Sequence, residues 1–224
     1  MDFRNQSIVV YAIWLVLCVE IVVAFFTGRY PSAFVAAVTL ILSMAPAFLA
    51  ARFRLQLPVS FVAVIVIFVF STLFLGEVFD FYERYWWWDV VLHGGSAVTF
   101  GMIGFLFVLF LFEGDRYAAP PWALALIAFC FAVTIGAVWE IFEFAMDQIF
   151  GLNMQKSGLV DTMYDLIVDV IGSGIGAAFG YLYSKGWHRA GPAAMMDQFV
   201  RLNRRFFTKS ANDRKGRGPG GWGN

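Results

Sequence analysis

Six long apolar stretches, each near the ~20 residues that a helix needs to cross a bilayer, leave this chain few ways to fold. They lie at about 7–26, 32–51, 59–79, 88–112, 121–146 and 162–184. Composition agrees: 60% of the residues are hydrophobic and 14% charged, against roughly 25% charged in soluble domains, and the mean hydropathy is +0.72. The reading is an all-α fold, a polytopic membrane helix bundle of about six transmembrane helices filling residues 1–184. The connections are short, and no internal repeat is visible. Cys18 and Cys130 fall inside apolar runs, where cysteine behaves as a small apolar residue, and they form no disulfide framework. No small-residue cleavage site follows the first run, which reads as a retained signal anchor.

The formal net charge is zero, but it is unevenly spread. From Lys185 onward there are nine Lys/Arg and two acids, so this tail carries +7 and the rest of the chain −7. Arg4, Arg52, Arg54, Arg116 and the tail all fall on one side of a six-span topology, whereas the other side has Arg29, Arg84 and Lys156. The positive-inside rule therefore predicts cytoplasmic N- and C-termini. Trp86, Trp87 and Trp88 mark the outer start of the fourth span, and Trp122 the inner start of the fifth, as expected of headgroup anchors. In the tail, residues 185–207 read as an amphipathic basic segment, with Met195, Phe199, Leu202 and Phe206 at helical spacing, lying on the anionic cytoplasmic leaflet. Residues 208–224 are polar and glycine-rich and read as disordered. The positive-inside rule already accounts for the basic tail, so nucleic acid is not expected as a partner; membrane lipids are.

The acids are the feature that a simple bundle does not explain. Asp161, Asp165 and Asp169 stand four residues apart in the sixth span, followed by Gly172, Gly176 and Gly180. At 100° per residue all six share one stripe. Small residues at four-residue spacing let membrane helices approach closely, so the stripe faces other helices and carries the aspartates inward. Gly136, Glu140, Glu143 and Asp147 share a face of the fifth span. Asp89 and His93 are one turn apart at the start of the fourth, and Glu77 and Asp80 end the third. All of these fall in the outer half. Nine carboxylates stand against Arg84 and Lys156 as cationic neighbours, and an unpaired buried charge costs several kcal/mol or more. The acids must share protons, be wetted by an outward cavity, or surround a cation.

A divalent metal ion suits such a set, since carboxylates with one imidazole are ligands for Mg²⁺, Mn²⁺, Ca²⁺ or Zn²⁺. Asp89/His93 and Asp165/Asp169 are i,i+4 pairs able to approach one ion from one helix face. No HExxH and no repeated ExxH motif is present. Asp161 doubles as a helix N-cap candidate, and Asp89 as a first-turn complement to the helix dipole. Asp147 lies near a helix C-terminus, where a negative charge is unfavourable, so another group must hold it.

"YWWWDVVLHGG", "WEIFEF" and "DTMYDLIVDVIGSGIG", in this order, resemble the YjdF-like family of bacterial inner-membrane proteins over roughly residues 59–184, and more remotely the VanZ-like proteins. The resemblance implies a bacterial inner membrane and a site made of Asp89, His93, Glu140, Glu143, Asp161, Asp165 and Asp169, but names no reaction. "GLNMQKSGLVD" departs from the family's shorter glycine-rich segment, so no role passes to Gln155 or Lys156.

Three functions are consistent with these residues. One is a membrane-embedded hydrolase or transferase on a lipid or envelope substrate, with His93 or Glu140 as the catalytic acid–base group beside a metal. The second is a proton- or cation-coupled transporter, although the inner half of the last four spans is nearly free of polar groups. The third is a structural or accessory subunit braced by an internal acid network.

Overall fold

The computed structural model describes residues 6–112, 119–187 and 191–207. Helix α1 (Ile8–Phe26) starts at Ser7, whose hydroxyl caps it by accepting the Val10 N–H. Helix α2 (Tyr30–Arg52) carries a proline in its first turn and Pro46 inside it. Helix α3 (Val59–Val69) follows Pro58 and runs without a break into a π-helical stretch, Phe70–Val78. Asp80, with φ 55°, turns the chain into the four-residue helix α4 (Phe81–Arg84). Helices α5 (Trp88–Leu111), α6 (Pro121–Phe150) and α7 (Leu159–Ser184) follow, and α8 (Gly191–Leu202) and α9 (Arg204–Phe207) close the described chain.

Among the described residues there is no strand, and six helical segments are long and apolar enough to cross a membrane. An even number of crossings returns the chain to the side on which it began. The fifth span continues to Phe150, four residues past the expected boundary, because "MDQIF" has no helix breaker. It stops at Gly151, whose φ of 66° provides the left-handed C-terminal turn. The π-helical stretch was not visible in the sequence, since an apolar run has no polar face to show its period.

The helices sort into two groups. In the first, α1, α2, α3 and the π-helical stretch pack through side chains, with Leu17, Ala36 and Phe74 in one cluster and Val10, Val62 and Val66 in another. In the second, α5, α6 and α7 pack on one another. The glycine stripe brings α7 against α5 almost backbone to backbone. A Cβ on Gly176 would run into the Val98 carbonyl and Gly101 Cα, and one on Gly172 into Ala97 and the Gly94 carbonyl. The stripe read from the sequence is thus the α5–α7 contact.

The C-terminal segment joins the groups at the end opposite the acids. Met196 enters the core with Phe105, Leu109 and Leu124, while Phe199 stacks on Phe61 of α3, ring centroids 5.7 Å apart. Asn203 is buried and clasps the α2–α3 connection: its Oδ1 accepts the Gln56 N–H (2.8 Å), and its Nδ2 donates to the Gln56 carbonyl (2.7 Å). Arg205 donates to the Arg54 carbonyl beside it. The buried stripe is therefore Ala193, Met196 and Asn203, turned by about one position from the expected one, and Leu202 is exposed. This helix meets protein on its inner face, which apolar spacing alone did not reveal. Residues 208–224 lie outside the described residues.

Candidate functional site

The ends of α5, α6 and α7 that carry the acids converge on one imidazole. His93 sits six residues into α5, buried, and its backbone carbonyl accepts the Ser96 hydroxyl at 2.8 Å. Its Nδ1 lies 3.3 Å from Asp169 Oδ1 and 3.5 Å from Oδ2, and 3.9 Å from Glu140 Oε1. Its Nε2 lies 3.8 Å from Asp89 Oδ1, one turn back on the same helix. Two sets of potential ligand atoms, each within 4.8 Å of one another, share His93: Asp89, His93 and Asp165; and His93, Glu140 and Asp169. Ligand atoms stand roughly 2.0–2.6 Å from a divalent ion, so two ligands of one ion are about 3–5 Å apart. Both sets have that spread.

Local packing explains how carboxylates from separate helices get this close. The contact between Gly176 and Gly101 sets α7 against α5 about two turns below Asp169 and His93. Gly136 does the same for α6: a Cβ there would occupy the space of the Asp169 carboxylate. The absence of a side chain at 136 lets Asp169 project toward α6, one helical turn from Glu140.

Glu140, Asp165 and Asp169 are buried and Asp89 is partly buried. Among the described residues no Lys or Arg pairs with any of them. Glu140 is the extreme case: it is 3% exposed, and neither of its oxygens has a hydrogen-bond partner.

The remaining candidates take other positions. Glu143 accepts the Trp139 indole N–H at 2.8 Å and joins neither ligand set. Asp161 is half-buried at the start of α7, also outside both sets, and makes no side-chain cap there. Asp147 has the partners its position demanded: its carboxylate accepts the backbone N–H groups of Met154 (2.7 Å) and Gln155 (2.9 Å), pinning the α6–α7 connection. Glu77 is exposed, and Asp80 pairs with Arg84 at 3.8 Å. The convergence thus gathers four carboxylates and His93 rather than all nine acids.

Two contacts at the mouth had no signal in the sequence. Lys156 reaches Glu83 at 3.2 Å and lies over the Tyr82 ring, 4.6 Å from its centroid, joining the α6–α7 connection to α4. Tyr82 lies outside the spans, and burial, reinforced by the negative charge of Asp89 and Glu77, pushes its phenol above the ordinary range. Both contacts join segments distant in sequence, which no local pattern reports.

Fold and site together define a polytopic helical membrane protein with a buried cluster of carboxylates around one histidine. Residues 9–186 match the family described as "Predicted membrane protein (DUF2238)", and the chain belongs to it. An "Uncharacterized protein" of Thermotoga maritima is 37% identical over 106 residues, which cover 46% of this chain and 53% of the relative; the match thus spans about half of that protein's length. No solved structure matches the chain.

Proposed function

We propose that this is a metal-dependent membrane enzyme, a hydrolase or transferase that acts on a lipid or envelope substrate at the outer face of a bacterial inner membrane. One observation carries the metal: Glu140 is buried with both oxygens unpartnered, beside Asp169 and His93, and among the described residues no Lys or Arg pairs with it to offset the charge. Such a group is not left bare in a low-dielectric interior, and carboxylate with imidazole suits Mg²⁺, Mn²⁺ or Zn²⁺. A bound divalent ion would supply Lewis acidity to a substrate oxygen or to water. His93 and Glu140 are the groups placed to move a proton.

The outer location rests on charge. The site shares its end of the bundle with Arg29, Arg84 and Lys156, while Arg52, Arg54, Arg201, Arg204 and Arg205 lie at the other end, which the positive-inside rule assigns to the cytoplasm. Both termini are then cytoplasmic, with the tail beside the anionic leaflet. The finer likeness to YjdF-like proteins supports the same site and membrane; the VanZ-like resemblance carries no part of this reading. Transport is the weaker reading, because Gly176 against Gly101 and the Phe105, Leu109, Leu124 and Ala128 core fill the path below the site.

The test is elemental analysis of the detergent-purified protein, followed by chelator-sensitive turnover of bacterial lipids in nanodiscs. Stoichiometric metal in the parent, lost in His93→Ala, is expected, with turnover that stops on chelation and returns with metal. Folded protein that takes up no divalent ion at millimolar concentration would overturn the reading.

A further inference from the structure

We infer that the cation is seated on the Nδ1 side of His93, held by that nitrogen, Glu140 and Asp169, and that Asp89 is a positioning residue acting through Nε2. This rests on the divalent-cation reading above and decides between the two ligand sets that share the imidazole.

Three observations separate them. First, the unpartnered oxygens belong to the Nδ1 set: Glu140 is 3% exposed with neither oxygen bonded. On the Nε2 side, Asp89 keeps 29% of its side chain exposed, so water reaches it. Second, the fold clears space for this set, since a Cβ at Gly136 would fill the position of the Asp169 carboxylate. That bare glycine is explained by a carboxylate brought beside Glu140. Third, the opposite edge of the ring has the partner that metal-bound histidines use. A ligating imidazole donates its other N–H to a carboxylate, which fixes tautomer and ring orientation, and Asp89 faces Nε2 at 3.8 Å from one turn back on the same helix.

On this assignment Asp89 and Asp165 line the approach. Burial rises from half-buried Asp161 and Asp89 to buried Asp165, His93, Glu140 and Asp169. A cation arriving from the mouth passes the half-buried Asp161 and Asp89 before it reaches the seat.

The experiment uses the full chain in detergent, stripped with chelator and titrated with Mn²⁺ and separately with Zn²⁺. Bound metal is counted by elemental analysis after dialysis, and folding is checked by size exclusion and circular dichroism. One ion per chain is expected for the parent. Glu140→Gln and Asp169→Asn, both isosteric, should each weaken binding more than about 100-fold. Asp165→Asn should still bind one ion. Asp89→Asn should also bind one, with affinity reduced about 10–100-fold, and Asp89→Glu should recover part of the loss. Gly136→Ala should lose the ion while metal-free unfolding stays near that of the parent. Full retention in Glu140→Gln with loss in Asp165→Asn would move the seat to the Nε2 side and overturn the inference, leaving the metal reading intact. Two ions per chain would overturn the single seat, and complete loss in Asp89→Asn would make that residue a ligand. A folded parent that binds neither ion would sink this inference and the metal reading together.

Discussion

The two helix groups handle buried charge in opposite ways. In the first group Glu77 of the π-helical stretch is exposed, and the less exposed Glu20 within α1 is reached at 3.3 Å by Arg29 at the start of α2. Among α5, α6 and α7, four carboxylates surround His93 with no Lys or Arg paired to them among the described residues. Packing differs in the same direction. The first group is joined by large side chains such as Leu17 and Phe74, the second by glycines that bring α5 and α7 together. A scaffold has no use for unpaired charge and neutralises it locally. The second group holds its carboxylates close at a cost that a bound cation would offset, and keeps the helices near enough to do so.

The largest expected effect comes from the close-packed side. Gly176→Val would press a branched side chain into the Val98 carbonyl and Gly101. It should cost about 3 kcal/mol, read as a lower unfolding midpoint in detergent, with loss of metal retention as the helices separate. Leu17→Ala in the first group should cost less, about 2 kcal/mol: the unfolded reference leaves leucine in apolar surroundings, so the cavity accounts for most of the loss. Metal uptake should persist in that variant. If both substitutions abolish uptake alike, the two groups are one cooperative unit and the comparison fails.

Asn203→Ala tests the link between the groups. It removes two part-buried hydrogen bonds to the Gln56 backbone, each worth about 0.5–1.5 kcal/mol. The expected signature is a broadened or split unfolding transition as the groups lose their tie. A single transition, merely shifted, would show that they stay coupled without it. Smallest is Lys156→Met at the mouth. Its partner Glu83 is mostly exposed, so the stability change should stay below about 1 kcal/mol, with faster metal exchange as the readout of interest.

The extent of the fold was legible because apolar run length is a strong signal and lipid permits little besides helices. The stripe from Asp161 to Gly180 also reported truthfully, since helical periodicity places small residues and acids on one face, and Asp147 announced by its position that it needed a partner. What the sequence did not resolve was which acids meet. Glu140 and Glu143 lie on the same face of α6, yet the first points at His93 and the second turns to Trp139. One turn of helix separates them, and spacing does not set a rotamer. The tail was harder still. Its apolar spacing fits a lipid surface or a protein surface equally well, and the decisive residue is Asn203, a polar side chain whose partner lies 147 positions earlier.

That separation fixes an order of events during synthesis. Gln56 is translated before any of the four final crossings exists, and Asn203 after all six. The first three helices can insert and associate while the acidic spans are still being made, whereas the amide clasp closes last. A chain truncated before Asn203 would carry every candidate ligand and still lack the fastener between its two halves.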